Sequence, residues 1–199
     1  MTAPILLASG SEIRAQLLKN AGVPFQVMTA PVDEEMIRQS LQAEGARPRD
    51  IADCLAEAKA KRVSAKRPDA LVIGCDQVLD CDGTVFSKPK DKEHARQQLL
   101  QLRHKRHTLL SAAVIYEAGK PVWRHVGIVR LLMRDFSDDF LDDYLDRNWE
   151  KIRHCVGGYM LEEEGVRLFT RVDGDYFTVL GMPLLEILAY LTLRGDLPR

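Results

Sequence analysis

The sequence has almost no net charge. Across 199 residues, 28 Lys and Arg stand against 29 Asp and Glu, a formal balance of −1. Without a basic excess, the chain lacks the usual electrostatic footprint of a duplex-nucleic-acid binder. Cysteine is sparse as well: Cys54, Cys75, Cys81 and Cys155 form no C-x-x-C pair. That pattern excludes a disulfide scaffold and points to reduced thiols in a cytoplasmic protein. Long apolar runs are missing, since none approaches the roughly 18 uncharged residues of a membrane span. The first eight residues show no basic leader or cleavage pattern, so no targeting segment is expected. Repeats, low-complexity tracts and Gly/Ser linkers are absent too. With 46% hydrophobic residues, the chain can bury a core unaided. One domain over residues 1–199 is expected, or two small lobes sharing a core around a central cleft.

The hydrophobic pattern sets the order of elements. Pro4 to Ala8 reads as a strand buried on both faces, and Ile13, Leu17, Leu18 and Ala21 follow at helical spacing. Val23 to Met28 reads as a second strand, then Glu34 to Glu44 as a polar helix. Asp50 is expected to cap a longer helix with Ile51, Leu55, Lys59 and Val63 near one stripe. Leu71 to Cys75 is the most strand-like run and is expected to end at Asp76. Asp82-Gly83 signals a hairpin into Thr84 to Ser87, and Asp91 caps a helix through Leu102. Thr108 to Tyr116 and Val122 to Met133 read as long paired strands, and Ser137 caps a further helix. Arg167 to Val172 and Tyr176 to Leu180 read as strands around Asp173-Gly174, before a closing helix from Pro183. Alternation early and strand pairing late predict an α/β fold with a mixed twisted sheet flanked by helices.

Several residues in this frame carry chemistry. Ser9-Gly10-Ser11 marks a strand-to-helix turn, where backbone N–H groups and the helix dipole favour a phosphate. Arg14 would add a planar, doubly donating cation. The plainer reading makes Ser11 an N-cap and Arg14 a solvated arginine. It is not a P-loop, because G-x-x-x-x-G-K-[ST] is missing. Asp76 closes an apolar run, where an unpaired carboxylate is costly, so it either reaches a partner or sits exposed in a turn. Lys59 either snorkels or faces a polar cleft. Lys88 precedes Pro89 and is therefore held extended. Asp33, Glu34 and Glu35 supply oxygen ligands of the kind Mg²⁺ or Mn²⁺ prefers, or form a solvated helix start. The five histidines lack H-E-x-x-H or Cys companions, and the neighbouring His154 and Cys155 do not make a thiol dyad.

Taken in order, these signals resemble the Maf family of nucleoside triphosphate pyrophosphatases. ILLASGSEIRAQLLKNAGVPF is similar to the family's opening S-x-S-P-x-R motif, matching Ser9, Ser11 and Arg14, with Glu12 in place of proline. PVDEE places Glu34 at the family's glutamate, and AEAKAKRV places Lys59 at its first lysine. VIGCDQV and SKPKDKEHARQQL place Asp76 at the central acid and Lys88 at the second lysine. RHTLLSAAVIY and GDYFTVLGMPL resemble the later blocks. The likeness spans essentially the whole chain.

The resemblance implies an inosine-triphosphatase-like fold, frequently a homodimer. It implies hydrolysis of a nucleoside 5′-triphosphate to the monophosphate and diphosphate, assisted by Mg²⁺ or Mn²⁺. Arg14, Lys59 and Lys88 would hold the phosphates with Ser9 and Ser11. Glu34 and Asp76 would hold the metal, with Asp76 also carried over as general base; an acid bound to metal is a poor base, so its two roles compete. For the base, HCVGGY, Gln77 and Glu162 look like the branch that hydrolyses 7-methyl-GTP rather than the dTTP/UTP branch. A carboxylate at Glu162 can accept hydrogen bonds from guanine. Ile13 stands where that branch often has tryptophan, which removes a cation–π partner. The alternatives are a dTTP/UTP pyrophosphatase and a non-catalytic nucleotide-binding regulator of septum formation.

Overall fold

The computed structural model describes residues 3–198. Chain order is β1 (Ile5–Leu7), α1 (Glu12–Asn20), β2 (Phe25–Val27), α2 (Glu34–Ala43), α3 (Pro48–Ser64), β3 (Leu71–Cys81) and β4 (Thr84–Phe86). Next come α4 (Lys92–Leu102), β5 (Arg106–Glu117), β6 (Lys120–Met133), α5 (Asp138–Ile152), β7 (Phe169–Asp173), α6 (Tyr176–Val179) and α7 (Leu184–Arg194). The strands make one mixed sheet in the order β2-β1-β3-β5-β6-β7, with β4 added to the far end of β3. Pairing is parallel for β1 with β2 and β3, and antiparallel elsewhere. The expected mixed sheet flanked by helices is what the chain forms.

Alternation along the strands sorts side chains to two faces. Leu6, Ala8, Val72 and Val114 meet Ile51, Leu55 and Val63 of α3 on one face. Ile5, Leu7, Ile73 and Ile115 meet Leu17 and Leu18 of α1 and Ile187 and Leu191 of α7 on the other. A third cluster, around Leu79, Leu109, Leu131, Tyr144 and Leu168, fills the far half of the long strands. Leu6, Leu7 and Leu18 are fully buried, and each such side chain contributes about 2 kcal/mol.

The chain leaves β1 for β2 through α1 on one face, then crosses back to β3 through α3 on the other. Between β1 and β3 the direction of winding reverses, and β1 stops at Leu7 while β3 runs on to Cys81. The crevice beyond the carboxyl end of a strand at such a reversal is the usual ligand position in open α/β sheets.

Three sequence expectations need correction. Asp50 does not cap α3: Arg47 stands at the N-cap and Pro48 opens the helix, its fixed φ already helical. Asp50 lies in the first turn, bonded to the Arg47 Nε at 2.9 Å. The strand does not end at Asp76, which pairs with Ala112 in mid-ladder. Tyr176 to Leu180 is not a strand, despite its aromatic and β-branched residues. The Asp175 carboxylate accepts from the Thr178 N–H at 2.9 Å and turns the segment into the short helix α6.

Candidate active site

Everything near the end of β1 is organised by one buried cation. Arg14, in the first turn of α1, is only 9% exposed. Its Nε donates to the Gly181 carbonyl at 2.8 Å, and one terminal nitrogen donates to Ser9 Oγ at 3.1 Å and the Cys75 carbonyl at 2.9 Å. All three acceptors are neutral, and among the described residues no carboxylate pairs with it. A charge held out of water without a counterion costs several kcal/mol. Arg14 is thus buried and, among the described residues, unpaired by any carboxylate, which leaves its charge available to an anion. Ser9 Oγ also accepts from the Ser11 N–H at 3.3 Å. Ser11 does stand at the N-cap of α1, but its own hydroxyl makes no capping bond.

One peptide further along β3 lies Asp76, 7% exposed and facing α3. Its Oδ1 accepts from Lys59 Nζ at 2.5 Å, and Glu34 Oε1 approaches the same ammonium at 3.1 Å. That pairing is why an acid survives inside an apolar strand. Lys59 does not snorkel: its side chain is 14% exposed and turned toward the two acids. The acidic group ahead of α2 divides its work. Asp33 caps the helix through the Met36 N–H at 2.9 Å, Glu35 binds Arg38 and Gln39, and Glu34 is left for Lys59.

Two carboxylates converging on one positive centre are the oxygen donors that Mg²⁺ and Mn²⁺ take, with waters and substrate phosphates completing the shell. The donor set fits such an ion, and the Lys59 ammonium already marks where positive charge is held. Among the described residues no group of three His, Cys, Asp or Glu side chains gathers as a metal centre.

Lys88 belongs to the other half of the molecule. It is exposed, just past β4, on a segment that the Gln98 amide fixes through the Ser87 carbonyl at 2.9 Å. Glu162 is half-buried in the segment between α5 and β7. Both act on the Cys155 thiol, whose pKa is pushed up to about 11, chiefly by burial, then by Glu162 and against Lys88. Burial also raises Cys75 to about 11, so neither thiol is an activated nucleophile. Ile13, in the first turn of α1, packs half-buried against the core, and Gln77 points away from Asp76 toward α6.

The Glu162 segment is pinned from three sides. Tyr159 enters the core and meets His107 Nε2 at 2.8 Å, and Tyr144 donates to the Gly158 carbonyl at 3.2 Å. Glu164 binds Arg147 and Asn148, each at 2.8 Å, and its pKa falls to about 2, Arg147 contributing most. Sequence reasoning missed these anchors, and it missed Ser111, Thr178 and Gly181. Gly181 does leave a trace in the sequence, as a glycine ahead of a proline-led helix.

The chain is thus an α/β protein in which a strand-to-helix turn, with an arginine that has no carboxylate partner among the described residues, lies beside clustered acids at a winding reversal. The chain belongs to the Maf-like protein family, whose profile matches residues 4–193. It is 65% identical to a nucleoside triphosphate pyrophosphatase of Roseobacter denitrificans, over 100% of both chains. A protein of the same name from Ruegeria pomeroyi is 63% identical, over 98% of both. A 7-methyl-GTP pyrophosphatase of Brucella abortus is 47% identical, over 96% of both.

Proposed function

We propose that this chain, a nucleoside triphosphate pyrophosphatase, cleaves the anhydride between the α- and β-phosphates of a guanine-type triphosphate such as 7-methyl-GTP. Buried Arg14, bonded among the described residues only to neutral oxygens, is the observation that carries the reading, because it calls for a tightly held anion. Arg14, Ser9 and Ser11 bind the phosphate tail from the proximal side. Lys88 reaches it from the far half, and Lys59 adds charge beside the scissile bond. These cations offset negative charge growing on the departing diphosphate.

Water adds its oxygen to phosphorus, the anhydride P–O bond breaks, and the electron pair leaves with diphosphate. The water proton passes to the Asp76 carboxylate, which Lys59 holds through one oxygen and leaves open at the other. Glu34 and Asp76 would hold Mg²⁺ or Mn²⁺, which supplies Lewis-acid polarisation of the phosphoryl oxygens. Glu162 reads the guanine edge as an acceptor. The name of the Brucella relative supports that base, and the names of the nearer relatives specify none.

The test is a hydrolysis screen of 7-methyl-GTP, dTTP, UTP, CTP and ITP with Mg²⁺ or Mn²⁺. Monophosphate and diphosphate should appear in equal amounts. Orthophosphate with a nucleoside diphosphate would refute the assigned bond. Glu162→Gln should lower kcat/KM for 7-methyl-GTP about tenfold relative to UTP, and equal losses would remove Glu162 from base reading.

A further inference from the structure

We infer that Gln77 and Ser111 are positioning residues for Arg14, acting through the carbonyl of Thr178. The inference rests on the reading of Arg14 as the phosphate-binding cation. Gln77, Ser111 and Gly127 lie side by side on β3, β5 and β6, as one row across the sheet. Above that row sits Thr178 of α6, fully buried. Gly127 makes room for it, because a Cβ there would lie 2.6 Å from Thr178 Oγ1.

The Thr178 carbonyl is the hub. Gln77 Nε2 donates to it at 3.2 Å and Ser111 Oγ at 2.7 Å, while the Gly181 N–H donates from the other side at 3.1 Å. Gln77 also donates to the Val179 carbonyl at 2.9 Å and to Ser111 Oγ at 3.0 Å, so its amide hydrogens are fully committed inside the protein. Gly181 then turns with φ +94° and presents its own carbonyl to Arg14 Nε at 2.8 Å. A side chain at 181 would be both strained and crowded, since its Cβ would come within 3.1 Å of the Arg14 guanidinium. The strand residue next to Asp76 therefore sets the height of the turn that aims Arg14. Acid and cation are registered to the same short stretch of β3, Asp76 through α3 on one face and Arg14 through α6 on the other.

A positioning role makes a distinctive kinetic prediction. Gln77→Ala should raise KM about tenfold for triphosphates of every base, with a smaller effect on kcat. In an Arg14→Ala background the same substitution should cost less than about twofold, because its target is gone. Ser111→Ala removes one donor to the hub and one acceptor of Gln77 but leaves Gln77 bonded to the Thr178 and Val179 carbonyls, so it should give the same pattern in weaker form. It also keeps the test open should Gln77→Ala fail to fold, as judged by circular dichroism. Loss confined to guanine or to pyrimidine nucleotides would overturn the proposal, and so would effects of Gln77 and Arg14 that multiply independently. Were Arg14→Ala itself to leave KM untouched, the phosphate reading would fall along with this one. A strong Arg14 effect with none from Gln77 or Ser111 would defeat only the positioning role.

Discussion

Gly74 passes so close beneath α3 that a Cβ on it would lie 2.3 Å from the Ala56 carbonyl oxygen and 2.8 Å from Ala60 Cβ. The contact is with backbone on one side, so it cannot be relieved by a rotamer change. It brings Lys59, the residue before Ala60, down onto Asp76, two residues past Gly74 on the same face of β3. Gly74→Ala should force α3 off the sheet, lowering stability by about 3 kcal/mol and separating Lys59 from Asp76. Urea unfolding and hydrolysis assays should show both losses together. A variant as stable as the parent but inactive would mean that this close approach is not what docks the helix.

Lys59 holds Glu34 and Asp76 together, so removing its charge leaves two acids facing one another. Lys59→Met should cost about 10²-fold or more in kcat/KM and about 1–3 kcal/mol of stability, less than a fully buried pair because Glu34 is half exposed. Freed of the ammonium, the two carboxylates gain capacity for a divalent ion. Added Mg²⁺ should therefore raise the melting temperature of the variant more than that of the parent. An equal shift in both proteins would separate Glu34 and Asp76 from metal binding.

Asp76→Asn keeps the shape of the side chain and removes the proton acceptor. Turnover should fall by about 10³-fold, while a non-hydrolysable triphosphate analogue still binds within about threefold. Calorimetry with Mn²⁺ alone decides between the competing roles of the acid. If Mn²⁺ affinity persists in the variant, Asp76 is the base; if it disappears, Asp76 is a ligand first.

Much of this site was legible in the sequence because its parts sit at signals that local chemistry writes plainly. The Ser9 to Arg14 turn and the apolar run broken by Asp76 are of that kind. So is the proline after Lys88. The α/β alternation and a strand at each of the seven observed positions followed from apolar runs and turn signals, with one strand too many at Tyr176. The error at Tyr176 shows where local reading fails: strand-like side chains lost to a single capping carboxylate, Asp175. The early ending assigned to β3 fails for the opposite reason, since only a distant lysine makes a mid-strand acid tolerable. The contacts of Gln77 show a third limit. Its neighbours in space, Ser111 and Thr178, are 34 and 101 residues away along the chain, so no spacing rule exposes that its amide is already committed.

His107 gives the fold a dependence on pH whose window can be assigned. It is 1% exposed, tilted against the rings of Tyr159 and Phe169, and burial lowers its pKa from 6.5 to about 4. Above pH 6.5 the ring is neutral in both folded and unfolded chains and has no effect. Between 6.5 and 4 the unfolded chain takes up a proton that the folded chain refuses. Stability therefore falls with acidification, by up to about 1.4 kcal/mol per pH unit and about 3 kcal/mol in all. Glu164 acts in the same direction but in a lower window. Its arginine partners hold its pKa near 2, so its contribution is intact above 4.5 and declines below that. Urea midpoints taken between pH 7.5 and 4.5 thus isolate the histidine. His107→Gln should flatten that slope even though the variant starts from lower stability. An undiminished slope in His107→Gln would assign the acid sensitivity to other groups.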